Sequence, residues 1–144
     1  MTGSRKWLSI RAGILFLFTP TLLALDPDCS DFLALLQRKP AHIEFLECKH
    51  TENSAGDSWV ARYRVSGRHA SEVEESLAKS FGLKKLVKSC CQWDGPAASY
   101  RKGNDLFDIS MTSDEDTSTT VTSTRADWSR IRFFYITVKH YKAD

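Results

Sequence analysis

The stretch from His69 to Trp93 constrains the fold of this chain more than any other, because it joins a helical pattern to two adjacent cysteines. Within it, apolar residues recur at helical spacing, and the acidic and basic residues between them fall on the opposite side. One stripe of the predicted helix therefore faces a core. The members of that stripe are Ala70, Val73, Leu77 and Phe81.

Both ends of this predicted helix carry capping signals. Ser71 and Glu74 have the spacing of a capping box, and Gly82 can adopt the left-handed conformation that ends a helix without a steric penalty. We expect the residues after Gly82 to form a buried strand that carries the two adjacent cysteines. This pattern predicts architecture and contains no catalytic motif.

The N-terminus has the features of a secretory signal. Three positive charges lie in the first eleven residues, and residues 12–25 are apolar apart from an interruption at Pro20. An uncleaved membrane anchor is the alternative, but this segment is shorter than the roughly 20 apolar residues that span a bilayer. The sequence therefore predicts a signal peptide over 1–25 and a single exported globular domain over 26–144, with no stable membrane span after processing.

The charge balance argues against nucleic acid as a partner. The 144 residues carry a formal charge of +2, but removing the three N-terminal positive charges leaves 17 basic against 18 acidic side chains, a net −1. A near-neutral domain without a basic stripe lacks the electrostatic footprint of nucleic-acid binding.

The remaining chain is predicted to form a short helix, one hairpin and two later strands. Residues 42–50 and 59–65 are predicted to pair across a polar loop, after a short first helix that ends by Pro40. Residues 106–111 form a later strand, and residues 132–141 have the strongest strand composition and are expected to be internal in the sheet. The predicted fold is α+β, a two-layer sandwich of mainly antiparallel sheet with two helices on one face, in the order α-β-β-α-β-β-β.

Four segments resemble a known family. They are CSDFLALLQRKPAHIEFLEC at 29–48, RYRVSGRHASEVEESLAKSF at 62–81, CCQW at 90–93 and ADWSRIRFFYITVK at 126–139. Together they are similar to small exported bacterial proteins that form the family of domains of unknown function numbered 4952. The resemblance implies a bacterial single domain of the envelope, expected in the periplasm of a Gram-negative cell, and it supplies no catalytic residues.

The four cysteines are the most chemically specific feature. Cys29, Cys48, Cys90 and Cys91 in an exported domain of this size favour two disulfides. A zinc site that adds His50 is the alternative, but adjacent strand residues point to opposite faces and are poorly placed for one tetrahedral ion. The Cys-x-x-Cys motif of a thiol oxidoreductase is absent. We predict no metal and no cofactor.

The pairing of the cysteines can also be argued from the predicted elements. A helix–strand unit can bring Cys29 close to Cys48, but that bond would leave Cys90 and Cys91 only each other. A bond between neighbouring residues would break the strand predicted there. We therefore expect Cys29 and Cys48 each to pair with one of the adjacent cysteines.

No catalytic motif stands out elsewhere. The chain lacks G-x-S-x-G, H-E-x-x-H and a glycine-rich phosphate loop, and its four histidines lie near the ends of predicted elements. A small envelope hydrolase that uses an unidentified histidine and carboxylate is the enzymatic alternative. The acidic run Asp114–Asp116 lacks the ligand spacing of a calcium loop and is interpreted as a solvated loop.

An uncovered sheet face supplies the preferred functional hypothesis. A sheet with helices on one side leaves its other side to solvent or to a partner. Trp93, Tyr100 and Tyr135 are predicted to line that side as a binding surface. The first interpretation is a non-enzymatic binding or protein-interaction module that engages another envelope protein. A purely structural accessory domain is a further alternative.

Overall fold

A computed structural model describes residues 28–53, 56–117 and 120–142, so the predicted signal peptide over 1–25 lies outside the described residues. Two α-helices, seven strands and two 3-10 helices make up the described chain. The helices are α1 (Phe32–Leu35) and α2 (Ala70–Phe81); the strands are β1 (Glu44–Asn53), β2 (Gly56–Ser66), β3 (Val87–Ser89), β4 (Gln92–Asp94), β5 (Ala98–Lys102), β6 (Asp105–Ser113) and β7 (Phe133–Tyr141); and the 3-10 helices are Gly67–His69 and Arg125–Arg130.

Five strands form one antiparallel sheet in the order β1-β2-β7-β6-β5, and β3 pairs with β4 as a separate hairpin. The predicted α+β class and mainly antiparallel pairing are confirmed. β7 lies between β2 and β6, which confirms that the strongest strand pattern is internal. The element order differs from the prediction, because the cysteine-bearing stretch folds as two short strands rather than one and because β5 adds a further strand.

The core lies on one face of the five-stranded sheet. Alternate residues of β2, β6 and β7 are buried there, because side chains alternate between the two faces of a strand. Phe32 of α1 contacts Phe107 of β6 edge-on, and Phe81 of α2 contacts Tyr100 of β5, so both helices pack on this face. The buried strand residues are Ala61, Tyr63, Val65, Phe107, Ile109, Met111, Phe134, Ile136 and Val138.

Helix α2 begins and ends close to its predicted limits, but its cap differs. Gly82 adopts φ +77° and ends the helix as predicted. The predicted capping box is wrong: His69 occupies the N-cap position without a side-chain hydrogen bond, and Glu74 is buried against Arg125. Among the described residues, no helix is both long enough and apolar enough to cross a membrane.

Helix α1 is a single turn held by a buried tyrosine. Asp31 caps it by accepting a hydrogen bond from the Ala34 N–H at 3.1 Å, and the helix ends well before Pro40. The Tyr63 hydroxyl accepts from the Leu33 N–H at 3.1 Å and donates to Asp31 Oδ1 at 3.0 Å. Burial raises the pKa of the Tyr63 hydroxyl above its ordinary value, so the hydroxyl keeps the proton that it donates to Asp31.

The expected cysteine pairing is wrong. Cys29 bonds to Cys48, with a Cα–Cα distance of 5.6 Å, and Cys90 bonds to Cys91. The predicted single strand is interrupted here, because Cys90 and Cys91 form the two-residue turn between β3 and β4, with Cys90 at φ +49°. The turn leaves both residues exposed at the tip of the hairpin, away from Cys29 and Cys48.

The acidic run after β6 is tied to this hairpin rather than solvated throughout. Asp116 forms an ion pair with Lys88 of β3 and accepts a hydrogen bond from the Thr122 hydroxyl at 2.9 Å. Its backbone N–H donates to the Cys91 carbonyl. The Lys88 hydrogen bond is the main reason why the pKa of Asp116 lies below its ordinary value, and hydrogen bonds from Thr122 add to the effect.

Candidate functional site

The sheet face opposite the core carries arginines beside aromatic rings. Arg62 and Arg64 of β2 are paired in register with Thr137 and Tyr135 of β7, and all four alternate away from the buried residues. Phe133 lies at the start of β7 on the same side. We call the set Arg62, Arg64, Phe133, Tyr135 and Lys139 the aromatic–arginine face.

Both arginines lie near a ring of β7 and a glutamate of β1, and Arg64 makes the closer contacts. The Arg64 guanidinium lies 4.6 Å from the centroid of Phe133, and its Nε and Nη2 donate to the Glu44 carboxylate at 2.7 and 3.1 Å. The Glu44 hydrogen bond is the main cause that raises the pKa of Arg64. The Arg62 guanidinium lies 5.9 Å from the Tyr135 ring and 3.5 Å from Glu47. The Phe133 ring and the bidentate ion pair orient the Arg64 guanidinium. Arg62 is held more loosely, because Glu47 pairs with Lys49 at 2.7 Å.

Positive charge without an ion-pair partner lies on this face at Lys139 and next to it at Arg132, just before β7. Arg132 places its guanidinium 5.2 Å from the Phe133 ring, and it makes no ion pair with any described residue. Lys139 is exposed and likewise makes none within the described ranges, although Asp108 is its cross-strand neighbour. Asp108 instead accepts a hydrogen bond from the Ser99 hydroxyl at 2.6 Å. The face therefore combines flat rings with free cations.

The predicted binding surface is only partly on this face. Tyr135 lies there, but Trp93 is 7% exposed, packs edge-on against Trp128 and donates its indole N–H to Thr122 at 3.2 Å. Tyr100 lies on the covered face, where its register with Phe107 directs it toward α2. The prediction that Trp93 and Tyr100 join Tyr135 on the open face is wrong, because it depended on the direction of side chains from strands whose register the sequence does not reveal.

Arg62 and Arg64 are the residues of this face that sequence reasoning missed. The alternation of polar and apolar residues in β2 was visible in the sequence and indicated that both arginines point away from the core. Their pairing with β7, which begins 67 positions after Ser66 and brings the rings under the guanidinium groups, was not visible.

For the enzymatic alternative, the part of the chain that the structure describes offers one histidine–carboxylate pair with a buried histidine. His140 of β7 is 9% exposed, and its Nε2 lies 3.3 Å from Asp105 Oδ1. Its ring stacks on Phe107 with centroids 4.6 Å apart and contacts Phe32 edge-on. Aromatic packing therefore encloses this histidine, as is typical of a core residue. Three surface depressions lie on the described chain. The first is lined by residues of 114–120 and 130–132, the second by 66–69 and 129–132, and the third by α2 residues with Lys85 and Arg125. His140 lines none of these three.

Among the described residues, two clusters have side chains that could bind a metal ion. His42, His69 and Glu72 bring their ligand atoms within 4.8 Å of one another, and so do His50, Glu52 and Asp57. Neither set contains a cysteine, so both differ from the zinc site that was considered from the sequence.

The comparison with protein families identifies the family of this chain. A family model described as a domain of unknown function (DUF4952) matches residues 22–93. The chain belongs to the DUF4952 family. The matched region ends at Trp93 and includes all four cysteines, β1, β2 and α2, whereas β5, β6 and β7 lie beyond it. No curated protein and no solved structure matches this DUF4952 protein significantly.

Proposed function

We propose that this DUF4952 protein is a non-enzymatic binding module whose aromatic–arginine face docks onto an acidic surface of another envelope protein. The cation–π contact of Arg64, whose guanidinium lies 4.6 Å from the Phe133 centroid, carries the proposal. Rings and arginines are the residue types that supply most of the binding energy at protein interfaces. Because Glu44 already orients Arg64, less side-chain entropy is lost when a partner binds.

The charge of the face supports an acidic partner. Arg132 and Lys139 have no ion pair among the described residues, so their charges are free to attract carboxylates of a partner. Complementary charge raises the association rate and excludes partners of the same sign. The rings of Phe133 and Tyr135 supply flat, partly exposed area between these cations.

We also propose that the protein is exported to the periplasm of a Gram-negative bacterium. The signal-like N-terminus supports this, and so does the bonding of all four cysteines, since disulfides persist in oxidising compartments. N-terminal sequencing of the protein from periplasmic extract should begin near Leu25. An intact Met1 in the membrane or cytoplasmic fraction would contradict export.

A photo-crosslinking residue tests the docking proposal in cells. Placed at Tyr135, it should give one discrete adduct whose partner peptide, identified by mass spectrometry, lies in an acidic surface. The matched control is the same residue at Leu35, which is 60% exposed on α1 and lies outside the aromatic–arginine face. Equal adducts from both positions, or a partner peptide without acidic residues, would contradict the proposal.

A defined probe tests the charge argument in vitro. Poly-L-glutamate should shift the backbone amide signals of β2 and β7 in NMR spectra of the mature domain, and added salt should weaken the shifts. Combining Arg132→Glu with Lys139→Glu should abolish them. The control pair Lys84→Glu and Lys85→Glu makes the same change in net charge at exposed residues after α2 and should leave the shifts in place. Equal loss in both pairs would show that only net charge matters.

A further inference from the structure

Three side chains from three segments meet beside the N-terminus of α2. His42 precedes β1, His69 ends the first 3-10 helix, and Glu72 lies in the first turn of α2. The two imidazole rings stack with centroids 3.8 Å apart and planes 8° apart. The Glu72 carboxylate reaches both rings: Oε2 lies 3.9 Å from His42 Nε2, and Oε1 lies 3.8 Å from His69 Nδ1.

These distances are close to those of a bound transition-metal ion. Zinc binds imidazole nitrogen and carboxylate oxygen at about 2.0–2.2 Å, so neighbouring ligand atoms around one ion lie roughly 3.3 Å apart. The nitrogen–oxygen distances of 3.8 and 3.9 Å exceed this value by about half an ångström. Rotation of side chains covers such a difference without movement of the backbone.

His69 has an unused ligand atom at this place. Its Nδ1 is buried and has no hydrogen-bond partner among the described residues. Its backbone is well anchored, because Gly67 packs so closely on the carbonyls of Trp128 and Ile131 that a Cβ there would lie 2.0 and 2.3 Å from their oxygens. Trp59, Trp128 and His140 also have buried nitrogens without a hydrogen-bond partner among the described residues. His69 differs from them because a second imidazole and a carboxylate lie beside its nitrogen.

His42 supplies the adjustable part of the cluster. Its side chain is 48% exposed, and its backbone holds φ +65°, a conformation uncommon for a residue other than glycine. The parallel stack keeps the lone pairs of the two rings in parallel planes, whereas an ion shared by both must lie in the plane of each ring. Capture of an ion therefore requires the exposed His42 ring to turn and the exposed Glu72 carboxylate to move closer to His69.

We propose that His42, His69 and Glu72 form a site for a divalent transition-metal ion of the zinc class, with water in the remaining positions. Two neutral imidazoles and one carboxylate suit zinc better than calcium or magnesium, which prefer oxygen ligands. The positive end of the α2 dipole opposes a cation here, but it is a small effect beside three direct ligands, and the Glu72 charge offsets it.

The second cluster is less suited to the same ion. His50 approaches Glu52 through Nδ1 and Asp57 through Nε2, each at 4.0 Å, so an ion bound at one nitrogen lies farther from one of the carboxylates. This cluster therefore serves as the internal control.

Titration of the mature protein with zinc chloride, followed by calorimetry and by the thermal unfolding midpoint, tests the proposal. One equivalent should bind and raise the midpoint, because an ion that binds only the folded state stabilises it. His42→Ala and Glu72→Gln should each weaken binding at least about tenfold. The controls His50→Ala and Glu75→Gln should stay within about twofold of the parent protein.

Three outcomes would overturn the proposal: no heat and no midpoint shift with zinc, unchanged affinity in His42→Ala, or loss of binding in His50→Ala alone. His42 is exposed, so His42→Ala is expected to fold, and circular dichroism of the apo variants establishes this. Because none of these residues belongs to the aromatic–arginine face, the result is independent of the docking proposal.

Discussion

Arg125 and Glu74, 51 positions apart in the chain, form a bidentate ion pair in which Arg125 Nη2 lies 2.9 Å from Glu74 Oε1. Glu74 also accepts a hydrogen bond from the Leu86 N–H at 2.6 Å, and Arg125 donates to the Leu86 carbonyl at 2.8 Å. The Arg125 guanidinium lies 4.5 Å from the Trp128 ring. One carboxylate thus joins α2, the segment after it and the second 3-10 helix.

Removal of this carboxylate should be costly. Glu74→Ala leaves the Arg125 charge and the Leu86 N–H without their partner, and we expect a loss of about 3 kcal/mol in the free energy of unfolding. Urea denaturation measures it. Glu75→Ala is the control, because Glu75 pairs with Lys79 in solvent at 2.9 Å, and its loss should change stability by less than about 0.5 kcal/mol. Similar effects in both variants would contradict the role assigned to Glu74.

The two disulfides should differ in their contribution to stability. Cys29–Cys48 closes a loop with a sequence separation of 19, so replacing both cysteines by serine should cost about 3 kcal/mol by the chain-entropy estimate. Cys90–Cys91 joins adjacent residues and closes almost no loop, so the same replacement should cost less than about 1 kcal/mol. Chemical denaturation of the two double variants compares them, and peptide mapping without reductant tests the pairing. A peptide that links Cys29 to Cys90 or Cys91 would refute it.

A charge at the centre of β7 should unfold the domain. Ile136 is fully buried in the middle strand, so Ile136→Asp should cost about 3 kcal/mol or more, as an unpaired buried charge does. Thr137→Asp changes the next residue of the same strand, which points to the half-exposed opposite face, and should cost about 1 kcal/mol or less. Thermal melts of the two variants distinguish them. If Ile136→Asp melts like the parent, the assignment of the buried face is wrong.

Asp116 should contribute an acid-sensitive part of the stability. Its pKa in the folded protein lies below the ordinary 3.8, chiefly through the hydrogen bond from Lys88. The contribution is therefore fully present above pH 3.8 and is lost as the pH falls through the folded pKa. NMR titration of the Asp116 carboxyl measures the shift. Lys88→Met should move that pKa back toward 3.8, whereas Lys84→Met should not, and an unshifted pKa in the parent would refute the link.

Local patterns in the sequence were enough to predict several elements. Helix α2 follows from apolar residues at helical spacing and a glycine at its end, and Gly82 adopts the predicted left-handed conformation. The internal position of β7 follows from its aromatic and β-branched composition, since such a strand is buried on its core-facing side and flanked by two neighbours. These features depend on residues close together in the chain, so their periodicity and composition can be read directly.

Only the tertiary structure decided which distant residues meet. Glu74 had the spacing of a capping residue, yet its partner is Arg125, because the second 3-10 helix packs against α2. Trp93 was expected on the open face, but the turn at the two adjacent cysteines folds β4 back beside β6 and buries the indole. Contacts of this kind depend on strand register and on packing between elements. A shift of strand register by one residue, for example, directs the side chains of that strand to the opposite face while the local sequence pattern stays the same.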